Sequence, residues 1–306
     1  MNSESGLLKS AGKTLYGAIL QDHQQRAASA LGVEESDIQG VSWMDIGMTN
    51  KSFLLSVKSE KYVYRIPGQG TERYISRRQE ADVYAAIKPL HVSDELVFLD
   101  PESGVKITKY YPNSHVVDDR CEPDLKVCMD ILRKLHNSNI SVGHSFDIEE
   151  KLPDFEMMCR ERGCVLPDDL ADVQALVQKP LELIRTSDLP CVLCHVDSAN
   201  VNFLKCRDGC IRLLDFEYSG MCHAIADIAM FALFSRYSLD GYRQLLRWYL
   251  LREPTESEWR LCISYASAGG LLWFFWAVFR ESFGENFLDY THAMYQSAKD
   301  LSLFVQ

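Results

Sequence analysis

At 306 residues, with 47% apolar and 25% charged residues, the chain suits one large domain or two lobes sharing a cleft, with ordinary buried cores. A formal net charge of -11 sets it against nucleic acid and anionic lipid surfaces and favours a cationic small substrate. Its ten cysteines form no repeated pair-of-pairs pattern, which argues against a disulfide framework or a zinc site.

The first forty residues read as helical, with Leu20, Ala27, Ala30 and Leu31 on one face of a segment that stops at Gly32. Glu4, Lys9, Lys13 and Asp22 are mixed with the apolar residues there, unlike a secretory leader, and residues 1–38 are expected to be a helical extension. From Val41 the period changes. Residues 41–46, 52–57 and 62–66 predict three successive strands, with Gly47-Met-Thr49-Asn50 as the first turn and Ser59-Glu-Lys61 as the second. A helix is expected over about 72–87 with Glu80 in its middle, and residues 96–99 and 104–111 supply two further strands.

Beyond Pro112 the pattern is mainly helical, over 123–137, 147–162 and 170–187. Residues 191–215 carry two short strands, and helices follow near 227–237, 241–251, 256–282 and 289–304. The fold class is therefore α+β and bilobal. A small lobe over 39–110 has a five-stranded antiparallel sheet and one helix, and a larger, mainly helical lobe covers 111–306, with the hinge near Lys109 to Asn113. Leu261 to Phe279 is uncharged between Arg260 and Arg280 and approaches the length of a membrane span. Ser264, Ser267, Gly269 and Gly270 dilute it, and a buried helix is expected instead, with no integral membrane segment. Cys191-x-x-Cys194 reads as buried thiols in a strand, consistent with a reducing cytoplasm.

The chemistry concentrates between residues 195 and 217. His195-Val-Asp197, Asn202 and Leu-Leu-Asp215-Phe-Glu217 set a carboxylate, an amide oxygen and a second carboxylate at the spacing by which kinase-like folds hold Mg2+ and a proton acceptor. Hard Mg2+ prefers oxygen ligands, which Asn202 and Asp215 supply, and Asp197 then stands nearest the acceptor hydroxyl. In the small lobe Gly47 to Ser52, including Thr49 and Asn50, can bring backbone amides and short side chains to phosphate oxygens. A plain hairpin turn is the alternative. Arg65 in mid-strand is costly unless paired, and Glu80 is its candidate partner.

Taken together, His195-x-Asp197-x-x-x-x-Asn202, Leu-Leu-Asp215-Phe-Glu217-Tyr218-Ser-Gly and Ala226-Asp227-Ile228-Ala229 resemble the choline/ethanolamine kinase family, including its bacterial LicA-type choline kinases. That family belongs to the aminoglycoside phosphotransferase superfamily with a protein-kinase-like fold. The resemblance extends back to Gly47-Met-Thr-Asn50, Tyr62-Val-Tyr-Arg65-Ile-Pro-Gly68 and Arg77-Arg-Gln-Glu80, and forward to Trp273, Trp276 and Asp289-Tyr290.

The resemblance implies ATP and Mg2+ as cofactors, with Asp197 as catalytic Asp beside His195, and Asn202 and Asp215 on the metal. It gives Arg65 to the nucleotide phosphates with Glu80 bracing it, the backbone of Lys109, Tyr110 and Tyr111 to the adenine, and Asp227 to bracing the catalytic loop. Tyr218, Trp273, Trp276 and Tyr290 match the aromatic positions that line the choline pocket, with Glu217 as an added charge. Trp273 and Trp276 lie three apart on one expected helix and so share a face. Aromatic faces and a nearby carboxylate are what a trimethylammonium group requires. The bland reading is an aromatic core, for which Phe274 and Phe275 are candidates.

Lys109 stands where many relatives carry Glu or Gln, which leaves ATP-versus-GTP preference open. The expected reaction is phosphorylation of choline. Ethanolamine, an aminoglycoside or another amino alcohol is the alternative acceptor, and a non-catalytic nucleotide or choline sensor is the alternative of another class. Oligomeric state is not legible.

Overall fold

The computed structural model describes residues 23–44 and 46–305, so Leu20 lies outside the described residues. The described residues divide into two compact units, one within residues 23–81 and 94–111, the other of 82–93 and 112–305.

The first unit is built on one antiparallel sheet. Its strands are β1 (Ile38–Met44), β2 (Lys51–Val57), β3 (Glu60–Ile66), β4 (Leu96–Leu99) and β5 (Lys106–Lys109), in the order β1-β2-β3-β5-β4. Alternation fixes which face is covered: Phe53, Leu55 and Val57 of β2 are buried, as are Tyr64 of β3 and Ile107 of β5. Each such side chain contributes about 1.5–3 kcal/mol by leaving water. Helix α1, over residues 23–31, adds Ala27 and Ala28 to this core, and His23 Nδ1 lies 2.9 Å from Tyr64 Oη.

Helix α2 (Arg77–Ile87) begins later than its apolar pattern predicts. Thr71–Arg73 forms a separate 3-10 turn, and Ser76 caps α2: its carbonyl accepts from the Glu80 amide at 3.1 Å and its Oγ from the Gln79 amide at 3.4 Å.

The second unit contains α3 (Glu122–His136), α4 (Ile148–Glu161), α5 (Leu170–Arg185), α6 (Ile225–Phe234), α7 (Leu239–Leu250), α8 (Glu256–Glu281) and α9 (Leu288–Ser302). Two small antiparallel sheets accompany them. One joins β6 (His115–Val116), β8 (Phe203–Lys205) and β9 (Ile211–Leu213), and the other joins β7 (Cys191–Cys194) to β10 (Gly220–His223).

Helix α8 is the axis of this unit. Every residue from Leu261 to Arg280 is buried, and α4, α5, α6 and α9 pack against it. It is long and apolar enough to cross a membrane, but its apolar window lies wholly inside the protein, where the surrounding helices cover a surface that is apolar all round. Its start is fixed by a capping box in which Thr255 and Glu258 each bond the other's backbone amide, with Arg252 on Glu258 at 2.6 and 2.8 Å. Gly270 permits the close approach of α9: a Cβ there would lie 2.8 Å from both Met294 O and Ala298 N.

Phe274 and Phe275 are core residues, Phe274 stacking near Tyr295 at 4.5 Å between centroids. All ten cysteines are free. Cys194 is buried and donates towards Cys222 O at 3.5 Å, whereas Cys191, expected to be buried with it, is exposed at the strand end, since residues three apart on a strand face opposite ways.

Candidate active site

In the first unit, the charged residues meet on Glu80. Arg65 Nη2 lies 2.6 Å from Glu80 Oε1, Lys106 Nζ 3.0 Å from the same oxygen, and Arg77 Nη1 3.1 Å from Oε2. All four side chains are buried, so Arg65 is no exposed edge cation. Strand register explains the convergence. Arg65 of β3 is the direct cross-strand partner of Lys106 of β5, and like charges placed so are destabilising unless something bridges them. Glu80 is that bridge, and Arg77 steadies it while donating to Thr71 Oγ1 at 2.8 Å.

Lys106 was not among the residues singled out from sequence. It lies in an apolar run, and only strand register places it opposite Arg65.

The other residues expected to face a nucleotide are also in this unit. Gly47 has φ 81, a left-handed conformation open to glycine without strain. Thr49 lies in the same turn, and Asn50 Oδ1 accepts from the Gly68 amide at 3.1 Å, fixing the end of that turn. Ser52 is buried and pairs with Arg65 across β2 and β3. The amides of Lys109 and Tyr110 are engaged by Glu95 O and Lys61 O, at 2.9 and 3.0 Å, and Tyr111 Oη accepts from the Glu95 amide at 3.0 Å. A base meeting this segment must therefore use other groups than those two N–H donors.

In the second unit, the loop after β7 carries His195, Asp197 and Asn202. Asn202 Nδ2 donates to the carbonyl oxygen of Asp197 at 2.7 Å and to its Oδ2 at 2.8 Å, so the amide closes the loop on the carboxylate. Asn200, two residues earlier, donates its Nδ2 to Val117 O at 3.1 Å. His195 is buried. Its Nε2 lies 2.7 Å from Leu214 O and its ring packs edge-on against Phe216, which ties the loop to the segment bearing Asp215. Burial lowers the His195 imidazole from its ordinary range, against the nearby Asp227 carboxylate.

Two backbone conformations here are costly. Val196 has φ 71 and Asp215 φ 64, and a β-branched residue in the left-handed region costs about 1–3 kcal/mol. Asp227, on the first turn of α6, supports the strained loop: its Oδ1 accepts from the Val196 amide at 2.6 Å and its Oδ2 from the His195 amide at 2.9 Å. Burial opposes the charged form of Asp227, but the hydrogen bond from His136 and the amide contacts prevail and hold its carboxyl below the usual range.

Asp197 behaves in the opposite way. Burial first, then the Asp215 carboxylate, push it well above the ordinary carboxylate range against the hydrogen bond of Asn202, with Glu217 and Asp227 adding to the push. Carboxylates gathered beside an amide oxygen are the hard oxygen donor set that suits a divalent cation. The Leu214 amide donates to Asn202 O at 2.8 Å, which keeps Asn202 next to the segment bearing Asp215, and the chemistry of these two side chains fits Mg2+.

Behind the loop stands the aromatic set. Tyr218 meets Trp273 at 5.0 Å between ring centroids, Trp273 meets Trp276 at 5.9 Å, and Trp276 meets Tyr290 at 6.0 Å. The four aromatics expected from sequence therefore form one connected group. Phe234 and Phe287 extend it, at 5.4 Å from Trp273 and 5.1 Å from Trp276. Trp273 Nε1 points to Met230 Sδ at 3.3 Å, whereas Trp276 Nε1 is buried with no hydrogen-bond partner among the described residues. Burial, then the Asp197 carboxylate, push the Tyr290 phenol well up.

A model of the choline/ethanolamine kinase family matches residues 41–245 of the chain. Protein LicA of Haemophilus influenzae is 28% identical over 254 residues, covering 80% of this chain and 74% of that protein. Among solved structures, choline kinase LicA from Streptococcus pneumoniae superposes with a TM-score of 0.82 at 22% identity, covering 94% of this chain and 99% of that one. An ADP-bound aminoglycoside phosphotransferase superposes with a TM-score of 0.56 at 15% identity, covering 87% and 95%. The fold is α+β and kinase-like.

Proposed function

The chain belongs to the choline/ethanolamine kinase family and is a phosphotransferase acting on an alcohol, and from that premise we propose that it transfers the γ-phosphate of ATP to the hydroxyl of choline, giving phosphocholine. The single observation that carries this reading is the connected aromatic set: Tyr218, three residues after Asp215, meets Trp273, and Trp273 and Trp276 of α8 join it to Tyr290 of α9.

In this reading Asp197 accepts the hydroxyl proton as the choline oxygen attacks the phosphorus in line, and Asn202 keeps the carboxylate turned towards that oxygen. Asn202 and Asp215 would hold Mg2+, which would supply charge stabilisation to the phosphate oxygens. In the sheet unit Arg65, oriented by Glu80, takes the nucleotide phosphates, the Gly47–Ser52 turn offers amides to them, and the Lys109–Tyr111 segment meets the base. Tyr218, Trp273, Trp276 and Tyr290 receive the trimethylammonium group through their faces, with Glu217 as counter-charge. The reaction is placed in the cytoplasm, where ATP is supplied.

Choline is preferred to ethanolamine because of the number of rings. A primary ammonium donates hydrogen bonds and calls for carboxylates and carbonyls, whereas a quaternary one has only cation–π and Coulomb attraction to use.

The test is turnover with Mg-ATP against choline, ethanolamine and an aminoglycoside, using the native chain, Asp197→Ala, Trp273→Ala and Trp276→Ala. Choline should give the highest kcat/KM, Asp197→Ala should lose about 10²–10⁴-fold in kcat, and each indole variant should raise choline KM. Ethanolamine turning over better than choline, with KM unchanged in both indole variants, sinks the acceptor assignment. Near-normal turnover of Asp197→Ala sinks the mechanism.

A further inference from the structure

Asp227 does not stand alone behind the catalytic loop. His136, in the last turn of α3, lies with Nε2 2.9 Å from Asp227 Oδ2, and on the other side of its ring Nδ1 lies 2.8 Å from the hydroxyl of Tyr249 in α7. All three side chains are buried. One turn earlier on α3, Arg133 Nη1 donates to the carbonyls of Trp248 and Tyr249, at 3.1 and 2.6 Å, which fixes the backbone that carries the tyrosine. Three helices thus meet at one imidazole.

The geometry points to His136 as a positioning residue for the phosphoryl transfer: held as the Nε2–H tautomer by Tyr249, it orients the carboxylate of Asp227 and so the peptide units that carry Asp197.

The proton count runs one way. The Asp227 carboxylate accepts from the His195 and Val196 amides, so its third close neighbour must also be a donor. That puts a proton on His136 Nε2. Nδ1 is then the acceptor and Tyr249 the donor, and burial, which holds the Tyr249 phenol well above its ordinary range, agrees with that role.

Oδ2 is shared between His136 and the His195 amide, while Oδ1 holds Val196 in its left-handed conformation. Without the His136 N–H the carboxylate is free to rotate about its bond to Cβ, and the peptide planes on either side of Val196 lose their fixed direction. Asp197 is the next residue.

His136, Asp227 and Cys194 also lie close enough together to hold a metal ion. Hydrogen bonds already account for that cluster. Both imidazole nitrogens and both carboxylate oxygens are engaged, and the Cys194 thiol, pushed up by burial, is directed to Cys222 O at 3.5 Å.

This inference rests on the reading of Asp197 as proton acceptor, and its test keeps the two apart. Steady-state kinetics with Mg-ATP and choline would compare the native chain with His136→Leu, His136→Gln, Tyr249→Phe and Asp197→Ala, at a temperature below every variant's melting transition. His136→Leu should lose up to about 10²-fold in kcat, the scale of a misplaced reacting group, with both KM values little changed. His136→Gln, whose amide N–H can still reach Asp227, should recover most of that loss, and Tyr249→Phe should fall between the two.

In the native chain labelled with 15N-histidine, the His136 ring nitrogens should show protonated Nε2 and bare Nδ1. Native kcat in His136→Leu with an inactive Asp197→Ala overturns the role of His136 alone. His136→Gln as slow as His136→Leu, or a ring protonated on Nδ1, also overturns it. The NMR measurement decides the matter if the leucine variant does not fold. An active Asp197→Ala removes the reading of Asp197 instead.

Discussion

In the sheet unit, Glu80 gathers Arg65, Lys106 and Arg77 through side-chain atoms alone, whereas in the helical unit Asp227 grips the backbone amides of His195 and Val196. The two arrangements suit different tasks. Long cationic side chains anchored on one carboxylate can follow a mobile polyphosphate, and their own strands stay regular. A proton acceptor, the role proposed for Asp197, must stand within hydrogen-bond reach of one oxygen, and a loop fixed at the peptide planes, at the expense of a left-handed valine, suits that role. Damage to the first cluster should therefore appear in nucleotide binding, and damage behind the second in turnover or acceptor binding.

The hardest test of that contrast is Glu80→Gln. It leaves Arg65 and Lys106 facing each other across β3 and β5 with no charge between them, and breaking a buried ion pair costs about 3–5 kcal/mol. Expected are a lower melting temperature and a rise in KM for ATP of about tenfold or more, with KM for choline near native. A rise in choline KM with ATP KM unmoved would reverse the contrast.

Gly270→Ala probes the helical unit from its far side. The new Cβ would press on Met294 O and Ala298 N of α9, an overpacking that costs about 1–3 kcal/mol. Since α9 begins beside Tyr290 and α8 carries Trp276, displacing one helix from the other should raise choline KM, measured at saturating ATP, while ATP KM stays unchanged.

The smallest effect is expected at the foot of α8. The Arg252 guanidinium, opposed by burial and assisted by Thr255, brings the Glu258 carboxyl from 4.5 down to about 2. A folded-state value below the ordinary one means that the stabilisation is complete above pH 4.5 and is lost as pH falls towards about 2. Glu258→Gln should flatten the acid limb of melting temperature against pH in that window. At neutral pH it should lower stability by about 1 kcal/mol, as for a lost helix cap. An unchanged acid limb would remove Glu258 from the pH response.

Much of this architecture was legible because local signals agreed with one another. The alternation in β2, the turn at Gly47–Asn50 and the uncharged run of α8 each specify an element without reference to the rest of the chain. The aromatic set was legible in part, since Trp273 and Trp276 share a helix face by spacing, and Tyr218 and Tyr290 followed from resemblance. Phe287 gave no such signal, because its contact with Trp276 depends on the turn between α8 and α9. Lys106 was hidden for the reason that also hides β10: strand register is a relation between distant segments, and Gly220-Met-Cys-His223 has no pattern that names β7 as its partner. His136 looked like an ordinary basic residue in the last turn of a helix, and its partners come 91 and 113 residues later. Polar networks that join distant helices leave no period in a sequence.

The burial of α8 also bears on how the chain is made. Leu261 to Phe279 precedes α9, the helix that covers one of its sides. A chain released before α9 is added presents an uncharged segment long and apolar enough to pass for a membrane span. Released truncations ending between Phe279 and Leu288 should accordingly be bound by holdase chaperones and aggregate instead of persisting as active kinase lacking one helix.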